Sequence, residues 1–539
     1  METLQSTQVL ISGAGPAGLA LAIELGSRGI ACTLIERNDR VGYAPRAKTT
    51  HTRTREHFRR WGIADALASA SPLGIDYPSD IHFVTRLGGY PLSKIENAFN
   101  CAPDRNELYA EHSQWIPQYL VEQIMRDHLI SFPNVRVCFK NELISAEQRD
   151  QVVISRVRDI ANGQEFDVES EYLVGADGAR SLVRDIIGAK MEGQYGLAHA
   201  YNIVFRAPGL ADAHGHGPGI MYWQTNPDIP GTIGPMDRDD LWYFIPGKAD
   251  EIDVLDQASA TDLIRRSTGI DLQFEVLSAD EWVASQFIAD KYRKGRMFIV
   301  GDACHLNPPT GGYGMNLGVS DAVDLGWKLA AVLQGWGGSA LLEAYEQERG
   351  PVHKFVIDAA VSNHATMALH SELPAEIEAD TARGEALRAD LGKKLAAGRL
   401  QEFQSLGVML GYSYSGSPII VSEQCEKPAS SMHEYHPTSR PGARAPHAWL
   451  ENGCSLYDTF GEEFSLLVFD DAHAGDVQRA LADAEALNLP LKIVMLHDDR
   501  VAKLYERPLV LVRPDQHIAW RGDHWPGISV LQCVTGRTC

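Results

Sequence analysis

A glycine-rich turn between an apolar strand and an apolar helix constrains the fold of this 539-residue chain more than any other feature. The strand covers Gln8 to Ser12, the turn covers Gly13 to Gly18, and the helix continues from Leu19. A second apolar strand, Cys32 to Ile35, ends at Glu36. This order predicts a βαβ unit and therefore a parallel sheet.

The Gly-x-Gly-x-x-Gly spacing of the turn predicts a dinucleotide site. Gly13 allows the tight turn, Gly15 lets the backbone approach a pyrophosphate, and Gly18 lets the helix pack on the strand. The phosphates then meet the free N–H groups and the dipole at the N-terminus of the helix. Glu36 can accept hydrogen bonds from ribose hydroxyls. This motif alone does not decide between FAD and NAD.

A second segment rich in glycine and proline follows a later apolar strand, Arg296 to Val300. Its residues include, in order, Gly301, Asp302, Pro308, Pro309, Gly311, Gly312, Tyr313, Gly314, Met315 and Asn316. Asp302 at the strand end can accept a hydrogen bond from a ribityl hydroxyl. A helix is predicted to begin near Gly314, so its free N–H groups can stabilise negative charge on a reduced isoalloxazine ring.

This segment resembles the G-D-A-x-H-x-x-P-P-x-G-G-x-G-x-N signature of class A flavoprotein aromatic hydroxylases, which include p-hydroxybenzoate, phenol, 3-(3-hydroxyphenyl)propionate and polyketide hydroxylases. Every fixed position is matched. Asp177-Gly178 is similar to the family's second fingerprint, near the FAD pyrophosphate and implicated in NAD(P)H use. Arg46 resembles the family's arginine beside the flavin, and Gln118 resembles the glutamine that contacts the ribityl chain. The resemblance covers about Val9 to Arg349.

The resemblance implies a single-component FAD-dependent monooxygenase that takes electrons from NADPH or NADH and uses O2. A C4a-hydroperoxyflavin would hydroxylate a phenolic ring, with the flavin carrying the difficult chemistry. The cofactor-binding residues so implied are Gly13, Gly15, Ala17, Gly18, Glu36, Arg37, Arg46, Gln118, Asp177, Asp302, Pro309, Gly312, Gly314, Met315 and Asn316. Tyr222 and Tyr313 are candidate substrate contacts, and no residue is assigned as a catalytic base.

The fold class predicted is α/β, with a Rossmann-like FAD-binding domain in two segments, 1–190 and 285–370. A mixed β-sheet substrate domain is inserted at 191–284, and a helical connection covers 371–425. The segment 440–539 resembles the thioredoxin-like tail of phenol-hydroxylase-type and phenylpropionate-hydroxylase-type members, which slightly favours a simple phenol or phenolic acid as substrate. None of the 8 cysteines forms a C-x-x-C pair, so we expect no redox role for this tail.

Composition and charge limit the kinds of partner that the chain is expected to bind. A net charge of -22 disfavours nucleic acid and anionic membranes, because both require basic patches. No Cys/His group has zinc spacing, so we predict no metal. Scattered cysteines, the lack of a signal peptide and the lack of a long apolar run predict a cytoplasmic protein with no membrane contact. The expected partners are a small aromatic substrate and O2; a homodimer is implied by the resemblance.

Several alternatives stay open at this stage. One is a related flavin oxygenase that acts on a polyketide-type substrate, or by epoxidation or ring expansion. Another is a flavin-binding protein without catalytic activity. A halogenase would carry Trp-x-Trp-x-Ile-Pro, of which only Trp115-Ile116-Pro117 is present. A second NADPH fingerprint is also missing, because the segment Gly215 to Gly219 has no preceding strand.

Overall fold

The computed structural model describes residues 6–39, 47–247, 255–366, 373–423 and 431–537. The strands are, in chain order, β1 (Ser6–Ser12), β2 (Cys32–Glu36), β3 (Thr49–Thr50), β4 (Ile81–Val84), β5 (Pro91–Ile95), β6 (Gln114–Trp115), β7 (Val135–Phe139), β8 (Asn141–Arg149), β9 (Val152–Asp159), β10 (Glu165–Gly175), β11 (Met191–Arg206), β12 (Met221–Gln224), β13 (Gly231–Pro235), β14 (Leu241–Pro246), β15 (Glu275–Ala289), β16 (Arg293–Lys294), β17 (Met297–Ile299), β18 (His305–Leu306), β19 (Phe464–Val468), β20 (Leu491–Met495), β21 (Leu509–Val512) and β22 (Ile518–Gly522). The helices are α1 (Pro16–Ser27), α2 (Thr52–Arg60), α3 (Ala64–Ser69), α4 (Gln118–Leu129), α5 (Leu182–Ile187), α6 (Leu210–Ala213), α7 (Gln257–Thr268), α8 (Tyr313–Leu333), α9 (Ala340–Ala365), α10 (Ala382–Phe403), α11 (Leu406–Leu410), α12 (Ala474–Ala486), α13 (Asp499–Tyr505) and α14 (Ser529–Val534). Among these described helices, none combines the length and hydropathy that a bilayer crossing requires.

The first sheet is built around β1, with strand order β16-β17-β10-β1-β2-β7. Val9, Leu10 and Ile11 are fully buried because both faces of this central strand are covered, as its continuous apolar sequence predicts. The pairs β1–β2, β1–β10 and β10–β17 are parallel. The carboxyl ends of β1, β10 and β17 therefore meet at one edge of the sheet, where α/β folds bind their ligands.

The second sheet has the order β18-β15-β11-β14-β13-β12-β4-β5. It extends beyond the predicted interval 191–284, because β4 and β5 come from the N-terminal part of the chain and β18 follows β17. The long antiparallel pair β11–β15 forms its middle. Through β18, the sheet ends within the second glycine-rich segment, so the two sheets meet there.

The two faces of the second sheet pack against different partners. Tyr222, Trp242 and Phe244 share a buried cluster with α7. Trp223 belongs to another cluster, which includes Phe403 at the end of α10. Alternation along a strand places neighbouring side chains on opposite faces, so Tyr222 and Trp223 face different surroundings.

The C-terminal segment forms a four-stranded sheet with the order β20-β19-β21-β22. β19 is parallel to β20 and antiparallel to β21, which is antiparallel to β22. The helix α12 links β19 to β20, α13 precedes β21, and α14 follows β22. The apolar face of this sheet packs in one cluster with Trp327 of α8, which joins the C-terminal segment to the first part of the chain.

Candidate active site

Three separate parts of the chain meet at the carboxyl edge of the first sheet. The Gly13 N–H donates to the carbonyl of Ile35 at 2.8 Å. The Ala176 N–H donates to Ser12 at 2.8 Å, and the Val300 N–H donates to Gly175 at 3.0 Å. The first glycine turn, the Asp177-Gly178 turn and the late glycine-rich loop are therefore neighbours in space, although more than a hundred residues separate them in sequence.

The three glycines of the first turn differ in what a side chain would meet at each position. Gly13 has φ +107°, and a Cβ there would lie 2.3 Å from the carbonyl oxygen of Ala176. A Cβ on Gly18 would lie 1.9 Å from the carbonyl oxygen of Gly13, so strand and helix pack too closely for any side chain. A Cβ on Gly15 would meet no atom within 4 Å.

The open space at Gly15 lies at the start of α1, whose N-terminus has no side-chain cap. Free N–H groups beside an open space are what a pyrophosphate requires, so this turn fits the phosphates of FAD. The carboxylate of Glu36 accepts hydrogen bonds from the backbone N–H groups of Ala14, at 3.0 Å, and Asn38, at 2.9 Å. Arg37 is exposed, and Arg46 lies outside the described residues.

Asp177 is turned toward its own helix. Its carboxylate accepts hydrogen bonds from the Ser181 hydroxyl and from the backbone N–H groups of Leu182 and Val183. Burial raises the pKa of Asp177, and these hydrogen bonds oppose that effect. The side chain therefore fixes the start of α5 and, through it, the Asp-Gly turn beside the first glycine turn.

The late loop reaches the first glycine turn at one point. A Cβ on Gly301, which has φ +63°, would lie 3.0 Å from the Cβ of Ala17. The next residue, Asp302, is exposed on the same turn, and Pro309 is also exposed. Gly312, in the left-handed conformation with φ +67°, precedes the first turn of α8, which has no side-chain cap. The N–H groups of that turn, at Gly314 and its neighbours, are therefore left for another acceptor.

Asn316 holds this loop in place with its whole amide group. Its Nδ2 donates to the carbonyls of Thr49, at 3.0 Å, and Gly312, at 2.7 Å. Its Oδ1 accepts from the His51 N–H at 2.8 Å and from the Thr54 hydroxyl at 2.7 Å. Two donors and two acceptor positions are thereby filled. Asn316 has no hydrogen-bonding capacity left for a cofactor in this arrangement, and neighbouring Met315 is partly buried.

His51 supports the same loop through its ring. Its Nε2 lies 2.9 Å from the carbonyl oxygen of Gly311. Burial lowers the pKa of His51 to about 4, so the ring is neutral at physiological pH and its Nε2–H donates to that carbonyl. The ring centroid of Tyr313 lies 5.5 Å from that of His51, and Tyr313 is 3% exposed. The structure thus brings Tyr313 to the loop.

The other predicted substrate contact lies elsewhere. The hydroxyl of Tyr222 donates to the carbonyl of Gly217 at 2.6 Å, and the residue is 1% exposed on the α7 side of the second sheet. The structure does not bring Tyr222 to the late loop. Gln118 does lie near the motifs: its N–H donates to the carbonyl of Ala47 at 2.9 Å, and its amide donates to Glu122 at 2.7 Å.

Residues near the loop that the sequence did not reveal come from α10 and β12. The Glu402 carboxylate accepts from the Gly311 N–H at 3.3 Å, and burial raises the pKa of Glu402 although Arg399 opposes this. The Arg399 guanidinium lies 3.8 Å from the centroid of a Trp223 ring, and Phe403 packs beside it. The sequence offered no signal for this pair, because an i,i+3 arginine and glutamate on a helix is ordinarily a solvated surface pair.

Comparison with known families shows which class of enzyme this chain belongs to. The family described as "FAD binding domain" matches residues 6–360, more than half of the chain, and the family "Aromatic-ring hydroxylase, C-terminal" matches residues 438–537. The chain belongs to the FAD-dependent aromatic-ring hydroxylases. The predicted class A resemblance, the FAD cofactor and the assignment as an aromatic monooxygenase are thereby confirmed.

Similar proteins align with almost the whole length of this hydroxylase, in sequence or in structure. Aklavinone 12-hydroxylase DnrF from Streptomyces peucetius is 32% identical, over 88% of this chain and 93% of the relative. The 2,4-dichlorophenol 6-monooxygenase of Delftia acidovorans is 30% identical, over 97% of this chain and 96% of the relative. The structure of the rebeccamycin biosynthetic enzyme RebC with reduced flavin superposes with a TM-score of 0.90 at 34% identity, covering 99% of both chains.

The relatives do not support the expectation that the C-terminal tail favours a simple phenol or phenolic acid as substrate. A tetracenomycin A2 monooxygenase-dioxygenase from Streptomyces glaucescens and the dichlorophenol enzyme each align with 97% of the hydroxylase, so both alignments include most of the tail. The tail therefore does not separate simple phenols from polyketides.

Proposed function

We propose that this hydroxylase is a single-component enzyme that uses NAD(P)H and O2 to add one hydroxyl group to a phenolic ring. The convergence of its three glycine-rich segments carries the proposal. They form one continuous edge that offers open space at Gly15, an exposed acid at Asp302 and an uncapped helix start after Gly312. That edge accounts for the pyrophosphate, the ribityl chain and the ring of one FAD molecule.

When bound, FAD would accept two electrons from NAD(P)H and pass one oxygen atom of O2 to the ring, while the other oxygen atom leaves as water. The protein's own residues bind, orient and shield. The uncapped N-terminus of α1 would hold the phosphates, and the uncapped N-terminus of α8 would stabilise negative charge on the reduced isoalloxazine. Asn316 and His51 keep the late loop rigid from two sides. Glu402, buried behind Gly311, fixes the loop from α10 and excludes water there.

The substrate ring is proposed to lie between the late loop and the second sheet. Rings of Phe99, Trp223 and Phe403 are buried together there, with centroids of Phe99 and Phe403 5.4 Å apart. The His51 ring, 6.0 Å from that of Phe99, connects this group to the loop. Buried aromatic surfaces of this kind suit a flat aromatic ligand. Trp223 replaces Tyr222 in this proposal, because it lies on the loop side of the sheet.

A fused-ring polyketide is the second candidate substrate, and the relatives favour it. DnrF is named for aklavinone and a Streptomyces halstedii relative is named as a putative polyketide hydroxylase, whereas the Delftia enzyme is named for a dichlorophenol. Epoxidation or ring expansion would use the same site.

A panel of simple phenols and hydroxyanthraquinones, assayed for stimulated NAD(P)H oxidation, distinguishes the two substrate classes. A product heavier by one oxygen supports hydroxylation, and oxidation that no member of either set stimulates would contradict it.

For the C-terminal domain we propose a thioredoxin-like fold without dithiol chemistry. The strand order β20-β19-β21-β22, with one parallel and two antiparallel pairs, supports this topology. The cysteines of this domain, Cys454, Cys533 and Cys539, include no C-x-x-C pair. Reduction with dithiothreitol should therefore leave the rate of NAD(P)H oxidation unchanged, and a change of more than about twofold would argue for a redox role.

A further inference from the structure

Lys48 is the feature of the site that the proposed function leaves unexplained. Its backbone lies between two anchored residues: the Ala47 carbonyl accepts from the Gln118 N–H, and the Thr49 carbonyl accepts from Asn316. The carbonyl of Lys48 accepts from the Ile116 N–H at 2.7 Å. The residue is thus fixed between the segments that flank the proposed cofactor site.

The side chain of Lys48 points from there to the second sheet. Its ammonium lies 3.9 Å from the centroid of the Tyr243 ring, on β14. Tyr243 is 1% exposed and packs with Val204 and Met236, and Trp115 packs against the same cluster. The ammonium therefore sits in an apolar, aromatic region between the cofactor edge and the second sheet, where a substrate ring is proposed to lie.

No carboxylate of the described residues pairs with this ammonium. Lys328 shows the usual solution for a buried lysine, because its Nζ lies 2.6 Å from Asp324 and 2.5 Å from Glu348. Among the described residues, Lys48 has the Tyr243 ring as its one charge-stabilising contact, and burial lowers the pKa of Lys48 to about 8. The residue as a whole is half-buried, as expected for a group that lines an internal space. A buried charge without a partner is costly, and such groups cluster at functional sites.

We propose that Lys48 binds an anionic oxygen of the aromatic substrate, either the phenolate of the ring or a carboxylate attached to it. The inference rests on the proposed function and adds the charge that the substrate carries at this point. The Tyr243 ring holds the ammonium in place, and the apolar surroundings strengthen its attraction for an anion. A phenolate bound here would be the ionised, more electron-rich form of the ring, which favours oxygen transfer to it.

Ligand binding to the FAD-loaded enzyme tests this inference directly. The first probe set is 4-nitrophenol, 4-nitrobenzoate and nitrobenzene. The second is a monohydroxyanthraquinone, anthraquinone-2-carboxylate and anthraquinone. Dissociation constants come from the change in flavin absorbance. The absorbance of bound 4-nitrophenol also gives the fraction ionised at a fixed pH. The two anions in each set separate a phenolate from a carboxylate.

We expect Lys48→Met and Lys48→Gln to weaken binding of at least one anion by about tenfold or more, because a buried charge loses its partner. The neutral parent ring should bind with a dissociation constant within about twofold of the wild type, since its contacts are apolar. Lys48→Arg should retain the preference for the anion. Lys354→Met is the matched control, because Lys354 is an exposed lysine on α9, 72% accessible and paired only with Asp358.

Equal weakening of charged and neutral rings in both neutral variants would overturn the inference, as would a wild type that prefers the neutral parents in both sets. Loss of FAD from both neutral variants would overturn it too, since Lys48 would then hold the cofactor or the fold. Product analysis keeps the two proposals apart. Anion selection through Lys48 without any hydroxylated product contradicts the proposed function alone. Hydroxylation without anion selection contradicts the role of Lys48 alone.

Discussion

Gly13 and Gly15 stand two residues apart and serve different purposes. Gly13 adopts a backbone conformation that L-residues avoid, and its missing side chain makes room for the Ala176 carbonyl. Gly15 has φ −74°, which any residue adopts, and its missing side chain faces open space. The fold therefore explains the first glycine, whereas a pyrophosphate lying against the start of α1 would explain the second.

Substituting these two glycines separates folding from cofactor binding. Gly15→Ala should lower the free energy of unfolding of the apoprotein by about 1 kcal/mol or less, because alanine is a poorer N-cap than glycine but meets no clash here. It should weaken FAD binding at least about tenfold, since the methyl group enters the pyrophosphate space. Gly13→Ala should lower the free energy of unfolding by about 2 kcal/mol or more, from strain and a backbone clash.

Thermal unfolding of the apoprotein and titration with FAD measure the two effects. Gly163→Ala is a control for strain alone, because Gly163 has φ +74° with no atom within 4 Å of a Cβ and lies in a distant turn. If Gly15→Ala bound FAD as tightly as the wild type, the open space at Gly15 would not be the phosphate site.

At the scale of elements, α8 connects the late loop to the C-terminal domain. Its first turn follows Gly312, and farther along it Asp324 and Lys328 join a buried cluster of charges. Arg513 of the C-terminal domain completes the cluster through Glu348 at 2.5 Å and Asp324 at 3.2 Å. Burial raises the pKa of Asp324, so this carboxyl tends to keep its proton. The position of α8, and with it the loop, thus depends on the C-terminal domain.

Removing Arg513 should destabilise the protein strongly. Arg513→Met leaves Glu348 and Asp515 buried with fewer cations, which costs about 3–5 kcal/mol in comparable cases. Arg507→Met is the matched control, because Arg507 is 45% exposed and pairs with exposed Asp523 at 2.9 Å. It should change the free energy of unfolding by less than about 1 kcal/mol. Chemical denaturation of both variants measures the difference, and equal effects would mean that the cluster contributes no more than a surface ion pair.

The elements that the sequence predicted well are those fixed by local pattern. The βαβ unit and the start of α8 follow from apolar runs and from glycines such as Gly15 and Gly312, whose requirements are read within a few residues. The members of the second sheet were not predicted in full. The strand β4 pairs with β12. The end of β4 at Val84 and the start of β12 at Met221 are 137 residues apart in sequence, and no local pattern indicates such a pairing.

The substrate side of the site was predicted least well, for the same reason. Tyr222 and Trp223 are adjacent aromatic residues on one strand, and the sheet register decides which of them faces the loop. That register depends on pairing with β4 and β13. Lys48 and Glu402 were missed because a lysine or glutamate in a polar stretch is ordinarily a solvated side chain. Only burial in the folded chain distinguishes them.

At the scale of the whole molecule, several buried histidines make the fold sensitive to acid. Burial lowers the pKa of His51, His214 and His447 to about 4 and that of His353 to about 3. An unfolded histidine titrates near 6.5, so the unfolded chain binds more protons between these values. The contribution of these neutral histidines to the free energy of unfolding is therefore fully present above about pH 6.5. It is lost as the pH falls toward 4, by up to about 1.4 kcal/mol per pH unit for each histidine.

We expect the thermal unfolding midpoint, measured by calorimetry, to be several degrees lower at pH 5 than at pH 7. His447→Gln should reduce this dependence, because it removes one group with a lowered pKa. His436→Gln should leave it unchanged, since the His436 side chain is 74% exposed. A midpoint at pH 5 equal to or above that at pH 7 would contradict the assignment of these rings as neutral.

We propose that one FAD molecule, held along the edge where the three glycine-rich segments meet, delivers oxygen to an aromatic ring. Turnover of the purified, FAD-loaded enzyme with NAD(P)H under ¹⁸O2, with mass spectrometry of the product, tests this proposal. We expect a yellow protein and a hydroxylated product that carries a single ¹⁸O atom. A colourless protein that FAD cannot reconstitute, or a product without the label, would contradict it.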